Sequence, residues 1–598
     1  MSSNAAGRIS SLRQQMKQYK IDLYVVPNSD YHGSEYIGEY FKAIKYLTGF
    51  TGSAATVVVT EKSAYLWTDG RYFIQAAKQL EGSGITLMRT GEEGVPKVKE
   101  FIEDFLKEGS CIGFDGRTLD AKTGEMYQNI AKEKGAILLD SEDLVGKIWK
   151  DRPQMPKEPF FLLEECYSGK NTKEKLAEIR KAMQRAGADT HILSSLTDIA
   201  WILNVRGSDI SHVPVVISYL VISKKYCRWF VQKECIAKGQ GAYFEENGIT
   251  ICPYEDMDSY VESLCACSVL YQPDMVNYRI AAKLSDSIVK ITQKNPSVSL
   301  KAVKNPIEIT NTICAHIKDG VAFTKFMYWL KTHIGKETIT ELTAGEYLEE
   351  RRKEQEHFLE NSFETICAYG ANAAMMHYQA VPDDYAVLQQ EGFLLVDSGG
   401  HYLEGTTDIT RTIALGTLTE KMKEHFTAVL RANLNLSAAK FLYGCSGQNL
   451  DILAREPLWQ LGLDYKCGTG HGVGHILNVH EGPNAFRWKK GQNGEDTAVL
   501  EEGMITTDEP GIYLEGEYGI RIENELLCRK AEKNEYGQFM QFENITYAPI
   551  DLDAVNVKEL TDREKKLLNS YHQNVYRVLS FYLTDEEKDW LKEYTRAI

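Results

Sequence analysis

Four carboxylates and one imidazole, spread over three segments of the C-terminal half, form the pattern from which chemistry can be read. Asp397 ends the β-rich run FLLVD, and Asp408 lies in a second run after the glycine-bearing turn of FLLVDSGGHYLEGTTDITRTI (393–413). An antiparallel return over about ten residues brings two such side chains to one edge, because paired strands lie ~5 Å apart. A second hairpin pattern, MITTDEPGIYLEGEYGIRIENELLC (504–528), carries Glu509 in one run and Glu523 in the other. His471 stands in the glycine-rich turn of GTGHGVGHILNVHEGP (468–483), where backbone without Cβ atoms can approach a ligand closely. Four clustered carboxylates are costly unless a cation sits among them. Carboxylates with one imidazole suit hard or borderline divalent ions, manganese ahead of zinc or calcium. Two ions sharing bridging carboxylates ~3.5–4 Å apart can activate a water and polarise a carbonyl together.

Each element also has a plainer reading. A single Asp in a hairpin commonly serves the turn or the surface, and Glu509 before Pro510 could simply open one. His471 and His475 have i,i+4 spacing, but Gly472 stands where a zinc peptidase helix of the HExxH type needs glutamate. The glycines at 468, 470, 472 and 474 fit no dinucleotide fingerprint, and no phosphate-loop lysine follows. It is the order and spacing of the whole set that points to a metal centre.

The elements that must position these residues belong to a long chain. With 598 residues, 43% of them hydrophobic and 25% charged, about three or four domains are expected. The net charge of −16 has no basic block to offset it, which argues against nucleic-acid and anionic-membrane partners. Residues 1–20 are polar and helical in character, and no apolar run approaches the roughly 18 residues of a spanning helix. Twelve scattered cysteines without a CxxC suit reduced thiols, so a cytoplasmic location is expected.

An internal repeat organises the first half. KYLTGFTGS (45–53) resembles AWILNVRGS (200–208), and each is followed by β-rich text, TVVVTEKSAYLW (56–67) and SYLVISKKYCRWFV (218–231). Each is also preceded by a charged helical segment and a short apolar strand, LYVV (23–26) and THILSS (190–195). Two related α/β domains in tandem follow from this pattern. The proline-rich KDRPQMPKEPF (150–160) separates them, and Asn305-Pro306 is a helix-start signal opening a third region. The expected division is 1–155, 156–303 and 304–598. Strands and glycine turns fill about 360–550, and charged helix follows 557, with Leu567, Tyr571 and Trp590 as expected packing anchors.

The same segments carry a resemblance. VDSG (396–399), TTDITRT (406–412), GTGHGVGH (468–475), DEPGIY (508–513) and GIRIEN (519–524) resemble the signature blocks of the aminopeptidase P group of pita-bread metallopeptidases. LWTDGRYF (66–73) and IAWILNVRGSD (199–209) are similar to the N-terminal domains of three-domain cytosolic Xaa-Pro aminopeptidases, so the likeness covers nearly the whole chain. It implies an α/β and α+β multidomain fold: two tandem creatinase-N-terminal-like domains, then a pita-bread catalytic domain with a helical C-terminal extension. It implies Asp397, Asp408, His471, Glu509 and Glu523 as ligands of two divalent ions, most simply Mn²⁺, with Asp408 and Glu523 bridging. His377 (in MMHY) and His480 (in NVHEG) would steady the substrate carbonyl and tetrahedral intermediate or shuttle protons, tasks suited to imidazole. Arg521, two residues before Glu523, would orient a ligand carboxylate.

The implied reaction is hydrolysis of the N-terminal Xaa-Pro bond of peptides by a metal-bridging hydroxide, with Glu509 as ligand and proton acceptor. Peptides with proline second are the implied partners, and relatives suggest a homodimer. One departure stands out. Family members usually carry a histidine four residues before the metal histidine, and here that substrate-binding position is Cys467, whose thiol cannot supply the same hydrogen bonds. His475 is an unexpected histidine that could compensate. Two other readings remain open: a prolidase acting only on Xaa-Pro dipeptides, which the tandem N-terminal domains disfavour, and a non-catalytic binding module, which the filled ligand positions disfavour.

Overall fold

The apolar runs at 23–26 and 190–193 each become an inner strand of a six-stranded sheet in the computed structural model, which describes residues 2–489 and 498–598. The first sheet runs Thr86–Arg89, Ala64–Thr68, Ala55–Thr60, Leu23–Pro27, Cys111–Gly113, Ile137–Leu139. The second runs Ile249–Pro253, Cys227–Val231, Ser218–Ser223, Thr190–Leu193, Ser268–Tyr271, Val289–Thr292. Successive junctions have the same sense in both sheets: parallel, antiparallel, antiparallel, parallel, parallel. The repeat seen in the sequence is therefore a repeat of topology. The two matched segments are helices, Ala43–Thr48 and Leu196–Leu203, and each stops at a left-handed residue, Gly49 (φ 80°) and Asn204 (φ 53°). Glycine and asparagine tolerate that conformation best, so the chain turns into the next strand at the same place in both copies.

These two sheets make up one compact unit, residues 1–163 with 170–297; Glu164–Gly169 and Val298–Ile598 form the other. The second unit opens on a helix from Pro306 to His333. Asn305 accepts hydrogen bonds from Ile307 N and Glu308 N, the Glu308 carboxylate returns to Asn305 N, and Pro306 needs no N–H in the first turn. Its buried face carries Phe323, Phe326, Met327 and Leu330, which pack on Leu394, Val396, Ile409 and Ile413 of the strands that bear the aspartates. A second helix, Glu420–Ser437, buries Phe426, Val429 and Leu430 in one core with Phe393, Ile520, Ile522 and Leu526. Each such side chain contributes about 1.5–3 kcal/mol by leaving water. Both helices thus brace the backs of the strands whose ends carry the polar site.

The C-terminal segment is helical as expected, Asp562–Leu579 and Asp585–Tyr594, each with a Thr–Glu capping box. The expected anchors pack there: Leu567 and Tyr571 on the core around Phe426, and Tyr571 and Trp590 on the one formed by Val575, Leu579 and Leu591. Glu564, Leu568, His572, Val575, Leu579 and Leu591 are fully buried beside them, while Leu567, Tyr571 and Trp590 are half-buried. An apolar side chain at the edge of a stripe shares its burial with solvent, and the helix rotation that decides this is set by packing.

Candidate metal centre

Strands Phe393–Ser398 and Ile409–Ala414 pair antiparallel with Asp397 opposite Thr410. Asp408 lies two residues before Thr410, just outside the strand, and shares its face with Asp397 by the two-residue alternation. The connection is more than a hairpin turn: Gly400–Tyr402 and Gly405–Thr406 form a separate small sheet with Phe358–Asn361. Gly399 permits this, since a Cβ there would lie 1.8 Å from Thr407 O. The loop is tied down by a buried ion pair. Arg352 Nε meets Asp319 Oδ1 at 2.5 Å, Tyr402 donates to Asp319 Oδ1 at 3.0 Å, and Thr407 donates to Asp319 Oδ2 at 2.9 Å.

The second pattern is two ladders in series. Ile505–Asp508 pairs with Asn524–Asn534, and Gly511–Leu514 pairs with Tyr518–Arg521. Glu509 and Glu523 fall in the gap between them. Glu509 N donates to Thr469 O at 2.8 Å, and Glu523 N donates to Thr410 O at 3.1 Å. Thr410 Oγ1 donates to Glu523 Oε2 at 2.6 Å, and Thr507 Oγ1 donates to Glu509 Oε1 at 3.2 Å.

His471 arrives on the short strand Gly470–Gly472. A Cβ at Gly470 would lie 1.8 Å from Thr507 O, so only glycine lets this strand approach so closely. Thr507 Oγ1 also accepts from His471 N at 3.0 Å. His471 Nδ1 donates to Gly472 O at 2.9 Å, which leaves Nε2 as the ligand nitrogen. That Nε2 lies 3.5 Å from Asp408 Oδ2 and 3.5 Å from Glu509 Oε1. One ligand atom each from Asp408, His471 and Glu523 lies within 4.8 Å of the others.

Asp397 joins the cluster through Arg521, whose Nη2 donates to Asp397 Oδ2 at 2.5 Å. The same guanidinium reaches Tyr513 Oη at 2.7 Å and Thr410 Oγ1 at 3.2 Å. Burial first, then the charges of Asp397, Glu509 and Glu525, push the Asp408 carboxyl well above the ordinary carboxylate range, with Arg521 opposing. Burial, Asp408, Glu509 and Asp397 do the same to Glu523, with Thr410 opposing. Asp397 Oδ1, Asp408 Oδ1 and Glu523 Oε1 are buried and accept no hydrogen bond from the described residues. Buried carboxylate oxygens without donors, on residues grouped with one imidazole, are a donor set that divalent cations satisfy, so the residues fit the metals implied.

The His480 ring stands 4.3 Å from that of His471 at 87°. His377 lies half-buried in the turn after the 3-10 helix Gly370–Ala374. That helix packs on the strand bearing Arg521, where a Cβ at Gly519 would lie 1.8 Å from Ala373 O. Cys467 is held by its carbonyl, which accepts from Arg455 Nη2 at 2.8 Å. His475 does not compensate for Cys467. It is buried with Nδ1 3.2 Å from Thr312 Oγ1 and Nε2 3.1 Å from Tyr167 O, both structural partners.

The sequence reading missed Glu525, whose Oε1 accepts from Asp408 N at 2.8 Å and whose Oε2 lies 3.1 Å from His316 Nε2. Strand alternation puts 525 on the same face as Glu523, so the second acid in IENE was a usable signal. His316 and Asp319 gave no local signal at all.

Family comparisons agree with this architecture. Models of metallopeptidase family M24 and of the C-terminal region of peptidase M24 match residues 311–530 and 538–598. A creatinase/prolidase N-terminal domain matches twice, at 8–148 and 151–308. Aminopeptidase P2 of Arabidopsis thaliana is 36% identical over 99% of this chain and 88% of its own, and Aminopeptidase P1 of the same plant 34% over 99% of both. The crystal structure of X-prolyl aminopeptidase from Caenorhabditis elegans, described as a cytosolic enzyme with a di-nuclear active site, superposes with a TM-score of 0.94. It is 32% identical, covering 99% of this chain and 100% of that one. The prolidase from Pyrococcus horikoshii shares the fold over only 63% of this chain, with a TM-score of 0.50 and 24% identity. Fold and donor set together define a metallopeptidase of the pita-bread type with two creatinase-N-like domains before it. The chain belongs to metallopeptidase family M24, in its aminopeptidase P group.

Proposed function

We propose that this chain is an aminopeptidase that hydrolyses the bond between the first residue of a peptide and a proline in second position. The observation that carries this reading is full-length similarity to aminopeptidases P, both N-terminal domains included, in a chain whose carboxylates and His471 converge on one buried cluster. In this reading Asp397, Asp408, His471, Glu509 and Glu523 would hold two divalent ions, manganese by preference. When bound, such ions polarise the scissile carbonyl and make a water acidic.

The chain's own residues do the rest. Arg521 holds Asp397 in one rotamer and offsets the excess of negative charge. Glu509, partly exposed, takes the proton of the attacking water and can return it to the leaving nitrogen. Proline's nitrogen is a tertiary amide, so a site accepting it has no buried N–H donor to satisfy. His480 and His377 donate to the carbonyl oxygen as it gains charge in the tetrahedral intermediate. Residues 1–155 and 156–303 are the two related α/β domains and 304–598 the catalytic domain. The enzyme works as a cytoplasmic homodimer, in keeping with the cytosolic description of the similar nematode enzyme. No helix among the described residues is long and apolar enough to cross a membrane.

A panel of Ala-Pro-Ala, Ala-Ala-Ala and Ala-Pro, assayed with Mn²⁺, tests the reading. The aminopeptidase releases alanine from Ala-Pro-Ala at least about tenfold faster than from Ala-Ala-Ala, a difference of only ~1.4 kcal/mol in transition-state stabilisation. A prolidase prefers Ala-Pro and leaves the tripeptide largely intact. A binding module cleaves none. Preference for Ala-Ala-Ala would remove the proline assignment while leaving a metallopeptidase.

A further inference from the structure

His480 lies one residue before the strand Glu481–Phe486, so the sheet ladder does not itself set the direction of its ring. The neighbouring side chain does have a fixed direction. The His480 ring stands against that of His471, and Glu481, the next residue, opens the strand after a bend. The Glu481 carboxylate is buried, at 3% exposure, between the buried ammonium groups of Lys301 and Lys304. Lys301 Nζ stands 3.2 Å from Oε2 and Lys304 Nζ 2.5 Å from Oε1, and Lys304 Nζ also donates to Lys301 O at 2.9 Å.

Lysine is almost never fully buried, and two of them on one buried carboxylate are costly to desolvate. Packed apolar side chains would hold the strand at lower cost. What an apolar residue would not supply is direction. With one ammonium on each oxygen, the carboxylate plane is set at both ends, and with it the side-chain torsions and the rotation of the backbone at 481. The lysine segment is anchored in turn. Lys304 N donates to Gly503 O at 3.0 Å, and a Cβ on Gly503, at φ +93°, would lie 2.8 Å from Lys304 O. Gly503 leads into the strand Ile505–Asp508 that delivers Glu509. On the other side Glu481 pairs with Gly472, next to His471, where a Cβ would lie 2.2 Å from Glu481 O. The segment 301–304 therefore joins the roots of the elements bearing His471, His480 and Glu509.

We infer that Glu481, gripped by Lys301 and Lys304, is a positioning residue that aims His480 at the scissile carbonyl. The inference rests on the role proposed above for His480. Displacing a donor by about 1 Å costs on the order of 10²-fold in rate, so such a clamp has a kinetic consequence although it touches no substrate.

A double-mutant cycle on the manganese-loaded enzyme with Ala-Pro-Ala tests it, using Glu481→Gln, His480→Ala and the pair. Glu481→Gln should lower kcat at least about tenfold, with KM and bound metal nearly unchanged. In the His480→Ala background the same change should have almost no further effect. Lys304→Met should reproduce the loss and Lys304→Arg restore most of it. Equal losses from Glu481→Gln in both backgrounds, or none in the wild type, would overturn the inference. A second readout is the His480 imidazole resonances of metal-free, ¹⁵N-histidine-labelled protein, which should shift in Glu481→Gln while those of His572 stay in place. If His480→Ala leaves kcat intact, the proposed role of His480 fails, and an unmoved His480 resonance separately rejects the clamp. If Glu481→Gln does not fold, Lys301→Met, which leaves Lys304 on the carboxylate, is read by the same cycle and resonances.

Discussion

Glu509 and Glu523 hold opposite positions in the gap between two antiparallel ladders, one ending at Asp508↔Asn524 and the other beginning at Gly511↔Arg521. Neither glutamate spends its backbone N–H within its own hairpin. Glu509 N goes to Thr469 O, two residues from His471, and Glu523 N goes to Thr410 O, two residues from Asp408. The break in the ladder is thus what ties three separate chain segments into one cluster, because each N–H left over must find a partner elsewhere.

Removing metal should abolish hydrolysis, with Mn²⁺ restoring it best. The orphaned oxygens of Asp397, Asp408 and Glu523 also predict that metal binding raises the melting temperature, since saturation at 100 times Kd stabilises by about 2.7 kcal/mol. Full activity in protein verified to be metal-free would refute the assignment.

Glu509→Gln keeps the size of the side chain and removes its basicity. With Glu509 as proton acceptor, kcat falls by at least about 10²-fold. A steady-state kcat within threefold of wild type would exclude that role.

Arg521→Met removes the donor on Asp397 Oδ2 together with its bonds to Tyr513 and Thr410. Metal affinity should drop by about 10–100-fold, as for other residues that orient ligands. Arg521→Lys should recover only part of it, because an ammonium cannot span three partners set out for a planar fork. Calorimetric metal titration of the three proteins decides; equal affinities would mean Asp397 needs no such support.

Cys467→His places imidazole at the position where the family resemblance leads one to expect it. The change should alter kcat/KM on Ala-Pro-Ala while bound metal stays constant. An unaltered value in a folded, metal-replete variant would mean this position makes no productive contact with substrate.

His572 is buried and kept neutral. Burial first, then Arg411 and Arg596, lower it from 6.5 to about 3, and Nε2 accepts from Ile550 N at 3.1 Å. The folded state then binds fewer protons than the unfolded one between these values. Its contribution is full above pH 6.5 and is lost as the pH falls toward 3, at up to about 1.4 kcal/mol per unit. His572→Gln should lose about 3 kcal/mol less stability than wild type between pH 7 and 4.5, measured by denaturant unfolding. The same loss in both proteins would show that His572 is not held neutral.

The donor residues, the tandem α/β domains and the start of the long helix at Asn305-Pro306 were all legible in the sequence. Each depends on chemistry within a few residues: carboxylates at hairpin spacing, a cap with its proline, an apolar strand before a patterned hairpin. The Asp319–Arg352 ion pair, the hold of Glu525 on Asp408 N, and the grip of Lys301 and Lys304 on Glu481 left no such trace. Nor did the structural use of His475, or the deeper burial of Leu568 and Leu591 beside the anchors Leu567 and Trp590. These contacts join residues far apart in the chain, or depend on the rotation of a helix about its own axis. Both are settled when the cores around Phe426 and Phe326 pack, since close-packed side chains admit few relative placements of the elements that carry them. The sequence by itself determined which carboxylates and which imidazole are candidate donors and in what order along the chain they come. Only the tertiary structure decided which buried charges hold those atoms still, because a desolvated lysine, arginine or glutamate persists only where packing delivers its partner.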